Sequence, residues 1–145
     1  MLTEFLTKFA KLRDDDRAPE SQILTHGVER RGDGTLPEGI RRGEKKQCFA
    51  NAARLALGER LLYVEGYAVL DDLGVPLHHA WCETEDGRVI DPTWEGPGTY
   101  MGMAFTGRAV WKLLRKQETY GLLMNWTSKL TPDQIAKHCV NRKAA

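Results

Sequence analysis

The first part of the chain repeats apolar residues at helical spacing. Between residues 2 and 12 they recur every three or four positions, which predicts a helix with one apolar face formed by Leu2, Phe5, Leu6, Phe9 and Leu12. The charged stretch at 13–17 ends this helix, and Pro19 marks a break. A second short helix is predicted over 20–28. The glycine-containing, basic stretch at 30–46 is typical of a loop.

The middle of the chain changes from helical to strand-like patterning. The alanine-rich segment CFANAARLAL predicts a helix over 48–57, closed by Gly58 in the C-cap position. Residues 61–72 are rich in β-branched and aromatic side chains and predict a strand. A turn at 73–76 and two further strands around the Asp86-Gly87 turn follow.

The last third of the chain returns to helices. A strand is predicted over 100–105 and a helix over 107–116, with Val110, Trp111 and Leu114 on one face. Thr131 followed by Pro132 is a strong helix start, and that helix is predicted to run to about Asn141. Helices followed by consecutive antiparallel strands indicate an α+β fold.

Composition and charge narrow the classes of function. The 145 residues favour a single domain over 1–145, and a net charge of +1 favours neither nucleic acid nor an anionic membrane as a partner. No apolar run approaches the roughly 20 residues that span a bilayer, and the first residues lack the pattern of a signal peptide. Three widely spaced cysteines, Cys48, Cys82 and Cys139, favour reduced thiols and a cytoplasmic location.

Cys48 is the first residue of the predicted alanine-rich helix. The helix dipole and the unpaired N–H groups at that position favour the thiolate, so Cys48 is a candidate nucleophile if a histidine can reach it. A buried, inert helix cysteine is the alternative.

The segment PLHHAWCETEDGRVIDPTW, residues 76–94, supplies a candidate base and acid. For Asp91 to orient His79, both side chains must lie on one face of the predicted hairpin. A two-residue turn would place them on opposite faces, whereas a three-residue turn with Gly87 at positive φ places them on the same face. We expect the three-residue turn, a His79–Asp91 distance within about 3.2 Å, and His78 and Cys82 on the other face.

The HAW tripeptide, a polar turn and a strand leading into DPTW resemble the signature of the transglutaminase-like superfamily. The resemblance covers roughly residues 46–95 and implies a papain-like core, in which a nucleophile helix packs on a small antiparallel sheet. On this basis the domain has a helical extension over 1–30, a catalytic core over 46–105 and a helical segment over 107–141.

The same resemblance implies a Cys-His-Asp triad. Cys48 is then the nucleophile, His79 the base and Asp91 the residue that orients it, without metal or cofactor. The expected activity is hydrolysis of an amide or ester acyl group of a protein or peptide substrate, as in a peptidase, amidase or deamidase. Gln47 is a candidate oxyanion donor beside the Cys48 amide. Two tryptophans, Trp81 and Trp94, flank the site, and Trp81 is expected to shield the His–Asp pair from water.

Three other functions remain open at this stage. An amine acceptor in place of water would make the protein a transferase. Zinc is a second possibility, since Cys48, either histidine at 78 or 79, Cys82 and Asp91 are suitable ligand types, but the predicted strand directs them to different faces. The third is a non-catalytic module that docks onto a larger partner through the basic loop at 30–46.

Overall fold

The computed structural model describes residues 2–125 and 127–143, and these form an α+β fold around one antiparallel sheet. The elements in chain order are α1 (Leu2–Arg13), α2 (Pro19–His26), β1 (Val28–Gly32), α3 (Cys48–Glu59), β2 (Leu62–Leu70), β3 (Leu77–Glu83), β4 (Val89–Ile90), β5 (Gly98–Thr106), α4 (Gly107–Leu114) and α5 (Pro132–Ala136). Among these described helices, none has the length and apolar character needed to cross a membrane.

The five strands lie in the order β1-β5-β2-β3-β4, and every neighbouring pair is antiparallel. The sheet is curled, so that its two outer strands approach each other: a Cβ atom on Gly32 of β1 would lie 3.1 Å from the Val89 side chain of β4. The curl gives the sheet a concave inner face and a convex outer face.

Each face of the sheet has its own apolar core. Helices cover the outer face, where the core includes Leu6, Ile23, Ala52, Tyr63, Met103 and Phe105. The inner face is lined by Val64, Ala68, Trp81, Val89, Tyr100 and Ala104. Alternate residues of β3 therefore belong to different cores, as the pleat of a strand requires.

Small residues let α3 lie close against β3. Three alanines of the helix, Ala52, Ala53 and Ala56, are almost fully buried in the outer core. The Cys82 thiol of β3 donates a hydrogen bond to the Ala52 carbonyl over 3.2 Å. This close packing brings the first turn of α3 alongside β3.

The strand β1 overlaps the start of the stretch at 30–46 that the sequence predicts as loop, so that prediction was wrong for residues 30–32. The segment VERRG has one large apolar residue and gives no hydrophobic alternation for a sequence pattern to detect. Its stability comes from pairing with β5, in register from Val28 opposite Gly102 to Gly32 opposite Gly98.

Several helix ends also differ from the predictions. α3 continues through Gly58, and Arg60 adopts the left-handed C-cap conformation with φ 55°. α5 ends at Ala136 rather than near residue 141, because the chain turns back so that Val140 bridges to Ala104 of β5. α1 buries Leu2 and Leu6 fully, while Leu12 at its far end is 79% exposed.

Candidate functional site

The β3–β4 hairpin has the register that the sequence predicts for a three-residue turn. Cys82 pairs with Ile90 and Glu83 with Val89. The turn that joins them contains Gly87 at φ 91°, and the Gly87 amide donates a 3.0 Å hydrogen bond to the Thr84 carbonyl. The predicted positive φ at Gly87 and the odd turn length are therefore confirmed.

This register brings His79 and Asp91 together on the inner face. The Nε2 atom of His79 lies 2.8 Å from Asp91 Oδ2, and the two side chains are 1% and 3% exposed. His78 and Cys82 lie on the outer face, against Phe49 and Ala52 of α3 respectively. The predicted distance and the predicted division between faces are both confirmed.

Three further donors bind the Asp91 carboxylate. Its Oδ1 atom accepts the backbone amides of Thr93 (2.9 Å) and Trp94 (3.0 Å), and its Oδ2 atom accepts the Tyr100 hydroxyl (2.8 Å). Burial acts to raise the pKa of Asp91, but the hydrogen bonds from His79 and from the two amides outweigh it and hold the pKa below its usual value. Asp91 is thus an ionised acceptor.

The ionised carboxylate fixes the tautomer of His79. Because Asp91 can only accept, Nε2 of His79 must carry the proton that is shared with it. In the neutral ring Nδ1 is then unprotonated. Nδ1 is buried and has no hydrogen-bond partner among the described residues. A lone pair on Nδ1 is therefore available to take a proton.

Aromatic rings enclose the imidazole. Trp94 stacks on it with ring centroids 3.6 Å apart and planes 14° apart, whereas Trp81 lies parallel to it at 6.0 Å. Trp81 in turn contacts Tyr100 edge-on at 4.9 Å. The sequence assigned the shielding role to Trp81, but Trp94 makes the direct contact with the ring.

Tyr100 is a site residue that sequence analysis missed. It lies in β5, which is separated from β4 by two other strands in the sheet order. Its hydroxyl reaches Asp91 only because the sheet curls. No local pattern in the sequence reports that curvature.

Cys48 is the first residue of α3, as predicted, and its side chain is half-buried. Burial raises the pKa of its thiol, the charges of Glu65 and Asp91 raise it further, and hydrogen bonds with the Ala80 and Phe49 amides act in the opposite direction. The amides favour the thiolate, as predicted for a helix start, but desolvation outweighs them, so the net direction is a raised pKa. The Ala80 amide that acts on the thiol belongs to the residue that follows His79.

The long loop before α3 packs against the Asp91 turn. Arg42 donates from Nε to the Trp94 carbonyl over 3.1 Å. Asn51 of α3 donates from Nδ2 to both the Glu44 carbonyl and the Thr93 hydroxyl, each over 2.9 Å. These bonds connect α3 to the segment that carries Asp91.

The remaining candidates differ in their placement. Gln47 is exposed at the N-cap of α3 and makes no side-chain capping bond, so its oxyanion role stays a prediction. The zinc ligands do not assemble: the part of the chain that the structure describes has no group of three His, Cys, Asp or Glu side chains suited to a metal ion. Cys82 faces α3, while Asp91 lies on the opposite face with His79.

Comparison with known proteins identifies no relative of this chain. No family model, no curated protein and no solved structure matches this chain. The likeness to transglutaminase-like proteins therefore depends on the motifs alone.

Proposed function

We propose that the protein is a thiol enzyme of transglutaminase-like type that acts on an amide or ester acyl group. The observation that carries this proposal is the state of His79. Its Nε2 is held by the buried Asp91 carboxylate, while Nδ1 is buried without a hydrogen-bond partner among the described residues, and the strand that carries it packs against α3, the helix that begins at Cys48. A base with a fixed tautomer, oriented by an acid, is the arrangement that activates a nucleophile.

The reaction begins from the protonated thiol, because burial raises the Cys48 pKa. Nδ1 of His79 takes the thiol proton as Sγ attacks the acyl carbon, and Asp91 stabilises the imidazolium that forms. The imidazolium then returns the proton to the leaving nitrogen or oxygen, the bond to the acyl carbon breaks, and a thioester on Cys48 remains. Water attacks the thioester with His79 again acting as base, which releases the acid and the thiol.

The backbone amide of Cys48 lies at the start of α3, where N–H groups lack partners within the helix. In this proposal it donates to the oxyanion of the tetrahedral intermediate, and Gln47 is the candidate second donor. A protein or peptide is the proposed substrate, and hydrolysis is the proposed outcome since water is always present as an acceptor.

The proposal is tested with p-nitrophenyl acetate, an activated ester that does not require the natural substrate. We expect a burst of p-nitrophenolate and transfer of one acetyl group to Cys48, located by peptide mass spectrometry. Cys82 and Cys139 serve as internal controls, since Cys82 is fully buried and neither lies at the start of a helix.

His79→Gln should remove the burst while leaving the circular dichroism spectrum unchanged. Equal acetylation of Cys48 in wild-type and His79→Gln protein would overturn the proposal. Loss of selectivity among the three cysteines would also overturn it and would favour a non-catalytic binding module.

A further inference from the structure

A second histidine–carboxylate pair lies on the opposite face of β3. Nε2 of His78 is 3.3 Å from Oε2 of Glu65, whose side chain is fully buried. The mechanism proposed above uses only His79 and Asp91, so this second buried carboxylate has no assigned role.

Glu65 binds a distant segment of the chain. Its Oε1 atom accepts the Leu122 amide and its Oε2 atom the Leu123 amide, both over 2.8 Å. The Tyr63 hydroxyl donates to Oε1 as well. Residues 121–124 have no regular secondary structure of their own, so the carboxylate supplies hydrogen-bond partners that a helix or strand would otherwise provide.

The segment at 121–124 lies against the first turn of α3. A Cβ atom on Gly121 would lie 3.6 Å from the ring of Phe49, the residue after Cys48. The Phe49 ring packs on His78 with centroids 5.0 Å apart. Glu65 therefore holds a segment that packs against Phe49, the residue that follows Cys48 in the first turn of α3.

The Glu65 carboxylate lies on the face of the sheet that α3 covers, because His78 contacts both Glu65 and Phe49 of that helix. Burial acts to raise the pKa of Glu65, but the nearby His78 ring and the hydrogen bonds from Tyr63 and the Leu123 amide outweigh it and hold the pKa below its usual value, so the group is a carboxylate. The titratable groups that contact it are Tyr63 on β2 and His78 on β3, and its charge acts to raise the pKa of the Cys48 thiol on α3. The more distant Glu20, paired with Arg13, bonds Tyr67 instead.

We propose that Glu65 is a positioning residue for the Cys48 nucleophile: it anchors residues 121–124 beside the first turn of α3 and supplies a negative charge that keeps the thiol protonated until His79 withdraws its proton. This inference rests on the proposed function of Cys48. A protonated resting thiol is protected from oxidants and electrophiles, since the thiolate is the reactive form.

The experiment measures the pH dependence of Cys48 alkylation by iodoacetamide, resolved from Cys82 and Cys139 by peptide mass spectrometry. In wild-type protein the midpoint should lie above about 8.5, the ordinary thiol value. Glu65→Gln removes the charge and retains the size, so its midpoint should fall by about one pH unit. Glu65→Asp retains the charge, so its midpoint should stay at or above that of wild type.

Hydrogen exchange tests the anchoring role separately. Both Glu65 variants should accelerate exchange of the Leu122 and Leu123 amides, because each variant weakens the bonds to them. Glu83→Gln is the matched control: Glu83 is another fully buried carboxylate, but it pairs with Arg30 and Arg142. It should change neither the Cys48 midpoint nor exchange at residues 122 and 123.

Three results would overturn the inference. The first is an unchanged midpoint of Cys48 alkylation in Glu65→Gln, and the second is an equal fall of that midpoint in Glu65→Asp. The third is a wild-type midpoint at or below the ordinary thiol value, a measurement that does not require any variant to fold. Alkylation requires no acyl chemistry. Failure of the proposed enzyme function would appear instead as acetylation that does not depend on His79.

Discussion

Trp94 lies flat on His79, with ring centroids 3.6 Å apart and planes inclined by 14°. The indole closes one side of the imidazole, and the backbone amide of the same residue donates to Asp91. Trp94 therefore contacts both members of the pair, and its position is fixed in turn by Arg42, which binds its carbonyl. A hydrogen bond enclosed in this way is stronger than one exposed to water.

Removal of this ring should weaken the base. Trp94→Ala admits water to the His79–Asp91 hydrogen bond, and we expect the rate of Cys48 acetylation to fall roughly tenfold, which corresponds to about 1.4 kcal/mol. Trp94→Phe retains a stacked ring and should keep most of the rate. Stopped-flow burst kinetics with p-nitrophenyl acetate measure both variants. Equal losses of rate in the two variants would show that an aromatic ring stacked on His79 does not contribute to the rate of acetylation.

Asp91→Asn should separate the orientation of His79 from the nucleophilicity of Cys48. The amide can donate as well as accept, so it no longer imposes the proton on Nε2 of His79. We expect acetylation of Cys48 to fall roughly a thousandfold and yet remain detectable, whereas Cys48→Ala should abolish it. Quenched-flow mass spectrometry follows the acyl-enzyme. Full activity in Asp91→Asn would exclude an orienting role for this carboxylate.

Tyr100→Phe should remove one donor from Asp91 at a small cost in packing. A hydrogen bond to a charged group contributes about 1.5–3 kcal/mol, so we expect a loss of this order in the free energy of unfolding by urea. The Asp91 pKa should rise because one stabilising bond is lost. Tyr63→Phe is the control, since Tyr63 binds a buried carboxylate on the opposite face. It should cost similar stability and leave the Asp91 pKa unchanged, while Tyr100→Phe raises that pKa and slows Cys48 acetylation.

The two buried carboxylates should make the free energy of unfolding depend on pH in the acid range. Asp91 and Glu65 have folded-state pKa values below their ordinary values of 3.8 and 4.5. The unfolded chain therefore binds more protons in this range, and stability falls as the pH drops through the folded values. Urea unfolding should show a full contribution above about pH 5 and a progressive loss below about pH 4. Asp91→Asn should reduce the loss of unfolding free energy below pH 4. An unchanged pH dependence in this variant would count against the lowered Asp91 pKa.

Two glycines, one crowded and one open, give a matched test of the packing on the inner face of the sheet. A Cβ atom on Gly102 would lie 2.6 Å from the Glu65 carbonyl and 2.9 Å from the Trp81 ring, so Gly102→Ala should destabilise the protein by about 1–3 kcal/mol. Gly58 in α3 has open space around its Cβ position, and Gly58→Ala should stabilise by about 0.5–1 kcal/mol. Thermal unfolding compares them. A tolerated Gly102→Ala would contradict the close packing of Trp81.

Local patterns in the sequence were sufficient for the hairpin. Alternation along β3, together with Gly87 in an odd-length turn, predicts that His79 and Asp91 share a face, and the structure places them 2.8 Å apart. The same kind of local signal, an alanine-rich helix after a loop, places Cys48 at a helix start. These features depend on backbone conformations of neighbouring residues, which side-chain type influences directly.

Other features depend on contacts between distant segments. The segment β1 carries little hydrophobic signal and is a strand only because β5 offers it a paired edge. The sequence alone determined the order of Cys48, His79 and Asp91 along the chain. It also determined that His79 and Asp91 share one face of the hairpin. The tertiary structure decided which groups surround them: Tyr100 on Asp91, Trp94 on His79, and Glu65 with the burial that raises the Cys48 pKa. The reason is physical, since the curl of a sheet and the desolvation of a thiol are properties of the whole packed chain.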